Sequence, residues 1–413
     1  MLLLMIALLR PALSEPAQAG RVEGDWPRWR GPTSDGHAPP GAPPPISWSA
    51  TEGVVWKADV PGRGHGSPAV AGGRVYLAAC DEKADTQSLL CFDRATGAKV
   101  WETEVHKGGA MRKNAKSTGA SCTPAVDGER VYITFPNKDA VYASALGLDG
   151  KILWQTKIGA YVIHQGYAAS PLPYRSVVLV AADHNAGGMV GALDRATGAI
   201  VWTRERPKAP NYASPVVLNV AGREQLFLTG CDLVTSLDPL TGKVFWEIPG
   251  ATTECVTTTV TDGARIFSSG GYPKNHLAAI EADGSGKIAW ETKDRVYVPS
   301  LLVRDGHLYG TLDAGVAACW TSDTGKELWK ERLGGTFSAS PVLVGDKIYA
   351  TNEAGETFIY AASPEKFTLI GKNKLGDEVL ATPAVCGGRI YARVAERVPG
   401  GRREALYCLG KKD

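Results

Sequence analysis

The stretch Ala192–Trp202, ALDRATGAIVW, decides the fold, because most of the chain is built from variations on it. An apolar residue leads into Asp194, a Thr-Gly turn follows, and an apolar strand ends in Trp202. The same frame returns as Cys91–Trp101 (CFDRATGAKVW) and Ser236–Trp246 (SLDPLTGKVFW). Cys319–Trp329 (CWTSDTGKELW) keeps Thr-Gly and Trp but carries Thr321 where the others have Asp. Looser copies are Leu146–Trp154, shortened to LGLDGKILW, and Ala279–Trp290, with one extra residue before Gly286. Recurrence at about 40–50 residues is the signature of a propeller or solenoid.

The physics of the frame is local. Apolar alternation before Asp194 suits a strand of period two. Asp and Thr side chains bond the backbone of their own turn, and Gly198 takes the left-handed conformation without steric cost. The next strand then delivers Trp202 in a fixed register. An indole burying about 150–250 Å² on a neighbouring repeat contributes at most roughly 4–6 kcal/mol at about 25 cal/mol/Å². The frame therefore reads as a docking device, with Trp56, Trp101, Trp154, Trp202, Trp246, Trp290 and Trp329 as anchors and Gly97, Gly198, Gly242 and Gly325 as turn glycines. The recurring Asp93, Asp194 and Asp238 belong to the turn and not to catalysis.

Counting repeats fixes the architecture. Segments of Ser/Thr-Pro-apolar type, each leading into a strand, begin at Ser67, Thr123, Ser170, Ser214, Thr258, Ser300, Ser340 and Thr382, with Thr259 and Leu301 replacing Pro in the fifth and sixth. Pro at the start of an inner strand is tolerated because that position need not donate a ladder bond. Val54–Val60 (VVWKADV) reads as a final strand without its first three, and the chain closes on a third strand at Leu406–Leu409 (LYCL). Pairing the two completes an eighth blade from both ends and leaves no exposed repeat end. The expectation is an all-β, eight-bladed β-propeller over 54–410, preceded by a signal segment at 1–19 and an N-terminal clasp with a Pro-rich spacer at 20–53.

Composition narrows the class. The 413 residues carry a formal net charge of +2, from 45 basic and 43 acidic residues without long single-sign runs, which gives no footprint for nucleic acid. Forty-eight Gly and 26 Pro fit many short strands joined by turns. The apolar run Met1–Leu9 followed by Ala17-Gln18-Ala19 reads as a secretory signal, although basic residues before the run are missing. It is too short to span a bilayer, and no Cys precedes Cys80, so no acylation site follows the cleavage point. A periplasmic or secreted monomer without a transmembrane segment is expected. The eight cysteines form no adjacent pair, CxxC or CxxCH, which weighs against a redox dithiol, a zinc knuckle or a c-type haem. Cys91, Cys319 and Cys408 share one repeat position and read as small core residues. An oxidising compartment permits disulfides among the others.

The frame at 192–202 resembles the tryptophan-docking repeat of the quinoprotein-dehydrogenase-like propellers, which include pyrroloquinoline-quinone (PQQ) alcohol dehydrogenases and the outer-membrane assembly lipoprotein BamB. The combination DWPRWRGPTSDG at 25–36, GYAASP at 166–171, YASPV at 212–216, GGYPKN at 270–275 and ERLGG at 331–335 is similar to the exported PQQ-binding-like propellers of planctomycetes. The resemblance spans roughly residues 25–410. It implies the fold strongly and the function weakly, since one fold hosts many functions. Catalytic members bind PQQ with Ca²⁺ at the channel, usually beside a vicinal disulfide, with a Trp floor and an Asp base. No adjacent cysteines occur here, and the ligand and base residues of those enzymes find no match, so no cofactor or metal is expected. PQQ with Ca²⁺ is the exception that the resemblance itself would bring.

Residues just before each Ser/Thr-Pro start face one mouth of a propeller channel. They are His65, Ser121, Tyr167, Tyr212, Glu254, Tyr297 and Phe337, with Lys113 and Asn114 in a long loop nearby. Tyrosines, a histidine and one carboxylate could line a small-molecule pocket, or the tyrosines could simply close the hole. Glu254 is the only acidic residue at such a position, which makes it the best single candidate for metal or acid/base work, although a lone carboxylate is a weak signal. His164 and His184 fall in the third repeat, and Trp26, Trp29 and Arg30 in the clasp could also reach a site. No GxSxG, HExxH, Walker or Rossmann fingerprint occurs. With a complete structural repeat and no complete catalytic set, the leading expectation is a non-catalytic exported propeller. It would present a channel mouth and loops to a protein, glycan or small ligand. The alternatives are a PQQ-dependent oxidoreductase with an atypical site and a BamB-like outer-membrane protein assembly scaffold.

Overall fold

The computed structural model describes residues 24–111, 114 and 116–412, so the expected signal segment lies outside the described residues. Eight four-stranded antiparallel sheets form a ring, an eight-bladed β-propeller. Among the described residues there is no helix, and none is long and apolar enough to cross a membrane. Blades 1 to 7 are consecutive, from the strand Ala69–Ala71 to the strand Leu369–Lys374. The eighth takes Ala384–Cys386, Arg389–Val398 and Gly401–Leu409 from one end of the chain and Val54–Val60 from the other. Trp56 pairs with Cys408, Ala58 with Leu406 and Val60 with Glu404. The seam anticipated from LYCL is thus an antiparallel ladder, with one register shift between Val54 and Trp56.

Most blades present an outer-strand Trp to the turn of the next; the seventh, whose outer strand is LIGKNK, has none. A Cβ added to Gly97 would come within 2.5 Å of the Trp56 ring, on Gly198 within 2.6 Å of Trp154, and on Gly242 within 2.5 Å of Trp202. Gly325 stands in the same relation to Trp290, and Gly150, in the shortened repeat, lies under Trp101. These glycines also have positive φ, 69° at Gly242, so both backbone and packing select them. The indole N–H then donates to a carbonyl of the next blade, from Trp56 to Arg94 O at 3.0 Å, from Trp154 to Arg195 O at 3.2 Å and from Trp202 to Pro239 O at 3.2 Å. Trp329 donates to Ser363 O at 2.9 Å and packs edge-on against Phe367. Trp246 departs from the pattern. Its N–H donates within its own blade to Gln225 Oε1 at 3.1 Å, because the extra residue before Gly286 places Ile248 over that glycine instead.

A bulge sets the indole in place. The residue two before the turn Asp pairs with Trp, as Cys91 does with Trp101 and Ala192 with Trp202, while the next pairing skips Val100 or Val201. A bulge turns the strand and re-aims the following side chain. The skipped residues face outward, which explains why Val100, Leu153, Val201 and Ile370 are exposed. The turn Asp behaves as expected. Asp194 Oδ1 accepts from the Ala196 and Thr197 amides and from Thr197 Oγ1, at 3.1, 2.8 and 2.8 Å. The Thr197 hydroxyl and amide hold its carboxyl below the ordinary range. All eight cysteines are buried free thiols.

Candidate functional site

The inner strands surround a central cavity of about 570 Å³. Its waist is a belt of hydroxyls supplied by the Ser/Thr-Pro segments. Thr123 Oγ1 accepts from the Ser67 amide at 3.1 Å, Ser170 Oγ from the Thr123 amide at 2.9 Å, and Ser214 Oγ from the Ser170 amide at 3.0 Å. The relay continues from the Thr258 amide to Ser300 Oγ at 3.0 Å, from Ser300 to Ser340 at 3.0 Å, and from Ser340 to Thr382 Oγ1 at 2.9 Å. Each bond crosses a blade junction, so the hydroxyls stitch the ring from inside as the indoles do from outside. The sequence marks these residues only as strand starts, and nothing local reveals a partner 40 or more residues away.

The clasp closes the cavity beyond the belt, on the side away from Glu254. Trp26 bridges to Val70 of blade 1, the Val126 amide of blade 2 donates to Pro27 O at 2.8 Å, and the Leu343 amide of blade 7 donates to Gly36 O at 2.9 Å. Arg30 is buried and donates to Leu301 O of blade 6; burial lowers its pKa to about 10. Trp29 lines the cavity and donates from Nε1 to Thr258 Oγ1 at 2.8 Å. Trp26 and Arg30, by contrast, are 1% exposed and belong to the packing of the clasp.

At the opposite, open mouth the structure brings Tyr212, Glu254 and Tyr297 together. Tyr297 Oη donates to Glu254 Oε2 at 3.1 Å. His164 Nδ1 lies 3.0 Å from Tyr212 Oη, with which it shares a hydrogen bond, and 3.5 Å from Glu254 Oε1. Tyr272, from the GGYPKN segment, is set beside Glu254 by an antiparallel bridge and also lines the cavity. The Glu254 side chain is 6% exposed. Burial first, and then the nearby Glu254 carboxylate, raise the pKa of both Tyr212 and Tyr297, so both phenols stay protonated donors. Asn211 supports this corner from below. Its Nδ2 donates to Asp183 Oδ2 at 3.1 Å and its Oδ1 accepts from the Cys255 amide at 3.0 Å. Asp183 in turn pairs with Arg206 at 3.3 Å, both side chains being nearly inaccessible.

The other candidates are placed differently. Tyr167 lines the cavity, but its hydroxyl is spent on Ala181 O at 2.9 Å. Asn114 bonds Gln165 Oε1 at 2.6 Å, joining the long loop of blade 2 to blade 3. Phe337 turns into the core against Phe358, and Lys113 lies outside the described residues. His65 stands in blade 1, four blades round the ring from Glu254 and therefore on the opposite wall. Burial and then Arg393, Arg63 and Arg402 lower its pKa to about 3, so its imidazole is neutral. Its Nε2 and the Oγ of Ser67, a residue 2% exposed, are enclosed without a hydrogen-bond partner. Behind them Arg393 pairs with Glu404 at 2.5 Å, and Glu404 Oε1 accepts from the Gly64 amide at 3.2 Å. Among the described residues no group of three or more His, Cys, Asp or Glu is placed to hold a metal ion.

The family described as outer membrane protein assembly factor BamB matches residues 45–135, 85–331 and 274–369. The chain belongs to the BamB family. BamB of Yersinia pestis is 25% identical over 271 residues, covering 60% of this chain and 63% of its own length. A tetrathionate hydrolase of Acidithiobacillus ferrooxidans is 25% identical over 346 residues, 72% of this chain. The chain thus spans just under two thirds of these relatives, 63% and 65%. A solved europium-containing methanol dehydrogenase superposes with a TM-score of 0.68 at 12% identity, over 94% of this chain and 98% of its own. That likeness concerns the fold alone. Its relatives are named as an assembly factor and a hydrolase, and one fold hosts many functions, so the site of this chain must be judged on its own residues.

Proposed function

We propose that this chain is an exported, non-catalytic binding propeller that takes a small polar ligand into its central channel. The observation carrying this reading is the cavity itself: closed on one side by the clasp, belted by hydroxyls, and furnished with one buried carboxylate. A site of this size with few, convergent polar groups is what small-ligand recognition requires. PQQ is a tricarboxylate and Ca²⁺ needs several oxygen ligands with carboxylates among them. The described lining offers Glu254 as its only carboxylate, and its only ammonium, Lys116, is bound to Glu353 at 2.9 Å. This donor set does not suit that cofactor pair, and no step is assigned to it.

A thermal-shift screen against polar metabolites tests the reading. Stabilising hits should be lost when Thr123→Trp fills the waist, and a screen without hits would sink the proposal. Membership of the BamB family favours a second reading, an envelope assembly scaffold that acts through protein partners. A pull-down from envelope extract that recovers no outer-membrane assembly component would count against it.

A further inference from the structure

Glu254 is a buried carboxylate that receives a single neutral hydrogen bond, from Tyr297. Among the described residues no Lys or Arg pairs with it, and His164, at 3.5 Å, is its only basic neighbour within 4 Å. An ionised carboxylate withdrawn from water is costly unless a counter-charge meets it. Around it the phenol rings of Tyr212 and Tyr272 furnish an aromatic wall of the kind that favours cations, and the Tyr297 ring already carries the Arg295 guanidinium over one face, 5.0 Å from its centroid. In the described lining the one ammonium, Lys116, is paired with Glu353, and the imidazole of His65 is neutral. The opposite wall is of reversed character. There Ser67 Oγ and His65 Nε2 are enclosed and unpartnered, with the guanidinium groups of Arg63, Arg393 and Arg402 close enough to act on His65. Such a wall suits hydroxyl oxygens. Between the two lie the hydroxyl belt and the indole of Trp29, a surface on which the C–H face of a ring can rest.

We propose that the cavity takes a hydroxylated organic amine of the amino-sugar class, its ammonium on Glu254 and its hydroxyls on the belt, Ser67 and His65. This rests on the channel-binding reading above and adds the ligand's charge and orientation to it. Acetylating the amine removes the positive charge while keeping the ring, so the discrimination is one of charge.

The test is calorimetric titration of the intact chain at pH 7 with glucosamine, glucose and N-acetylglucosamine. Glucosamine should bind at least about tenfold tighter than the other two, a difference of about 1.4 kcal/mol. Glu254→Gln should bring the three to within about threefold of one another. Ser67→Ala, on the far wall, should weaken all three and leave the preference intact, and its circular dichroism checks that the variants fold. Equal binding of the three sugars, no binding of any, or a preference that survives Glu254→Gln would overturn the inference. Native mass spectrometry after incubation with a polar metabolite extract separates the two levels. Capture of a neutral or anionic compound, lost in Thr123→Trp, refutes the amine and keeps the channel reading; capture of nothing refutes both.

Discussion

The junction between Trp202 and Gly242 can be tested as a pair. Trp202→Ala removes a half-buried indole and its N–H bond to Pro239 O at 3.2 Å. Partial exposure puts its cost at the lower end of the usual range for such truncations, about 3 kcal/mol. Gly242→Ala faces two separate penalties. Its φ of 69° charges a side chain about 1–2 kcal/mol. Its new Cβ would also lie 2.5 Å from the indole, an overpacking worth about 1–3 kcal/mol. Only the second penalty depends on the ring. In a Trp202→Ala background, Gly242→Ala should therefore cost only about 1–2 kcal/mol, leaving a coupling of about 1–3 kcal/mol between the sites. Urea unfolding of the four proteins, followed by circular dichroism so that loss of an indole does not alter the signal, measures the cycle. If Gly242→Ala costs the same in both backgrounds, the ring does not rest on that turn and the docking mechanism is wrong.

Asp194→Ala loses the turn's acceptor and should cost only about 1 kcal/mol; a loss equal to that of Trp202→Ala would mean the turn, not the indole, joins the blades. Ser170→Ala removes the partner of the Thr123 amide and should speed hydrogen exchange at Thr123 with about 1 kcal/mol of destabilisation. An unchanged exchange rate would show that the belt is not a structural bond. Glu404→Ala leaves the guanidinium of Arg393 buried and uncompensated, their side chains being 1% and 2% exposed, and should cost about 3–5 kcal/mol in the same urea assay. His65 has a folded-state pKa of about 3, below its ordinary value. The unfolded chain therefore takes up the proton first as pH falls. Its contribution to stability is complete above about pH 6.5 and declines towards pH 3, by at most about 1.4 kcal/mol per pH unit. His65→Gln should flatten the stability profile between pH 6.5 and 4, and parallel profiles would refute this.

The blade count, the seam and the Trp-over-Gly contacts are legible in sequence because each depends on a short pattern repeated in fixed register. Ala192, Asp194, Gly198 and Trp202 lie within a single hairpin, where period-two alternation and turn chemistry speak directly. The bulge that skips Val201 is not legible, since an apolar residue between Ile200 and Trp202 reads as ordinary strand. The partners of the mouth residues are hidden for another reason. Nothing near Glu254 in sequence announces His164, and only the curvature of the ring brings the third and fifth blades to one corner. Phe337 shows the reverse case: it holds the same repeat position as Tyr297, yet the side chain turns into the core against Phe358. Repeat position fixes the backbone, and the side chain's neighbours decide where it points.

The pairing of Val60 with Glu404 sets a schedule for folding. Roughly 340 residues separate the two, and closing so long a loop costs about 5 kcal/mol of chain entropy. Val54–Val60 has no partner until Gly401–Leu409 has been made. A nascent chain can accumulate hairpins but not the finished toroid, which delays cooperative closure until the eighth blade is complete. For a protein that crosses a membrane as an extended thread, as the export proposed here would require, late closure keeps the polypeptide threadable until it reaches the compartment where it works.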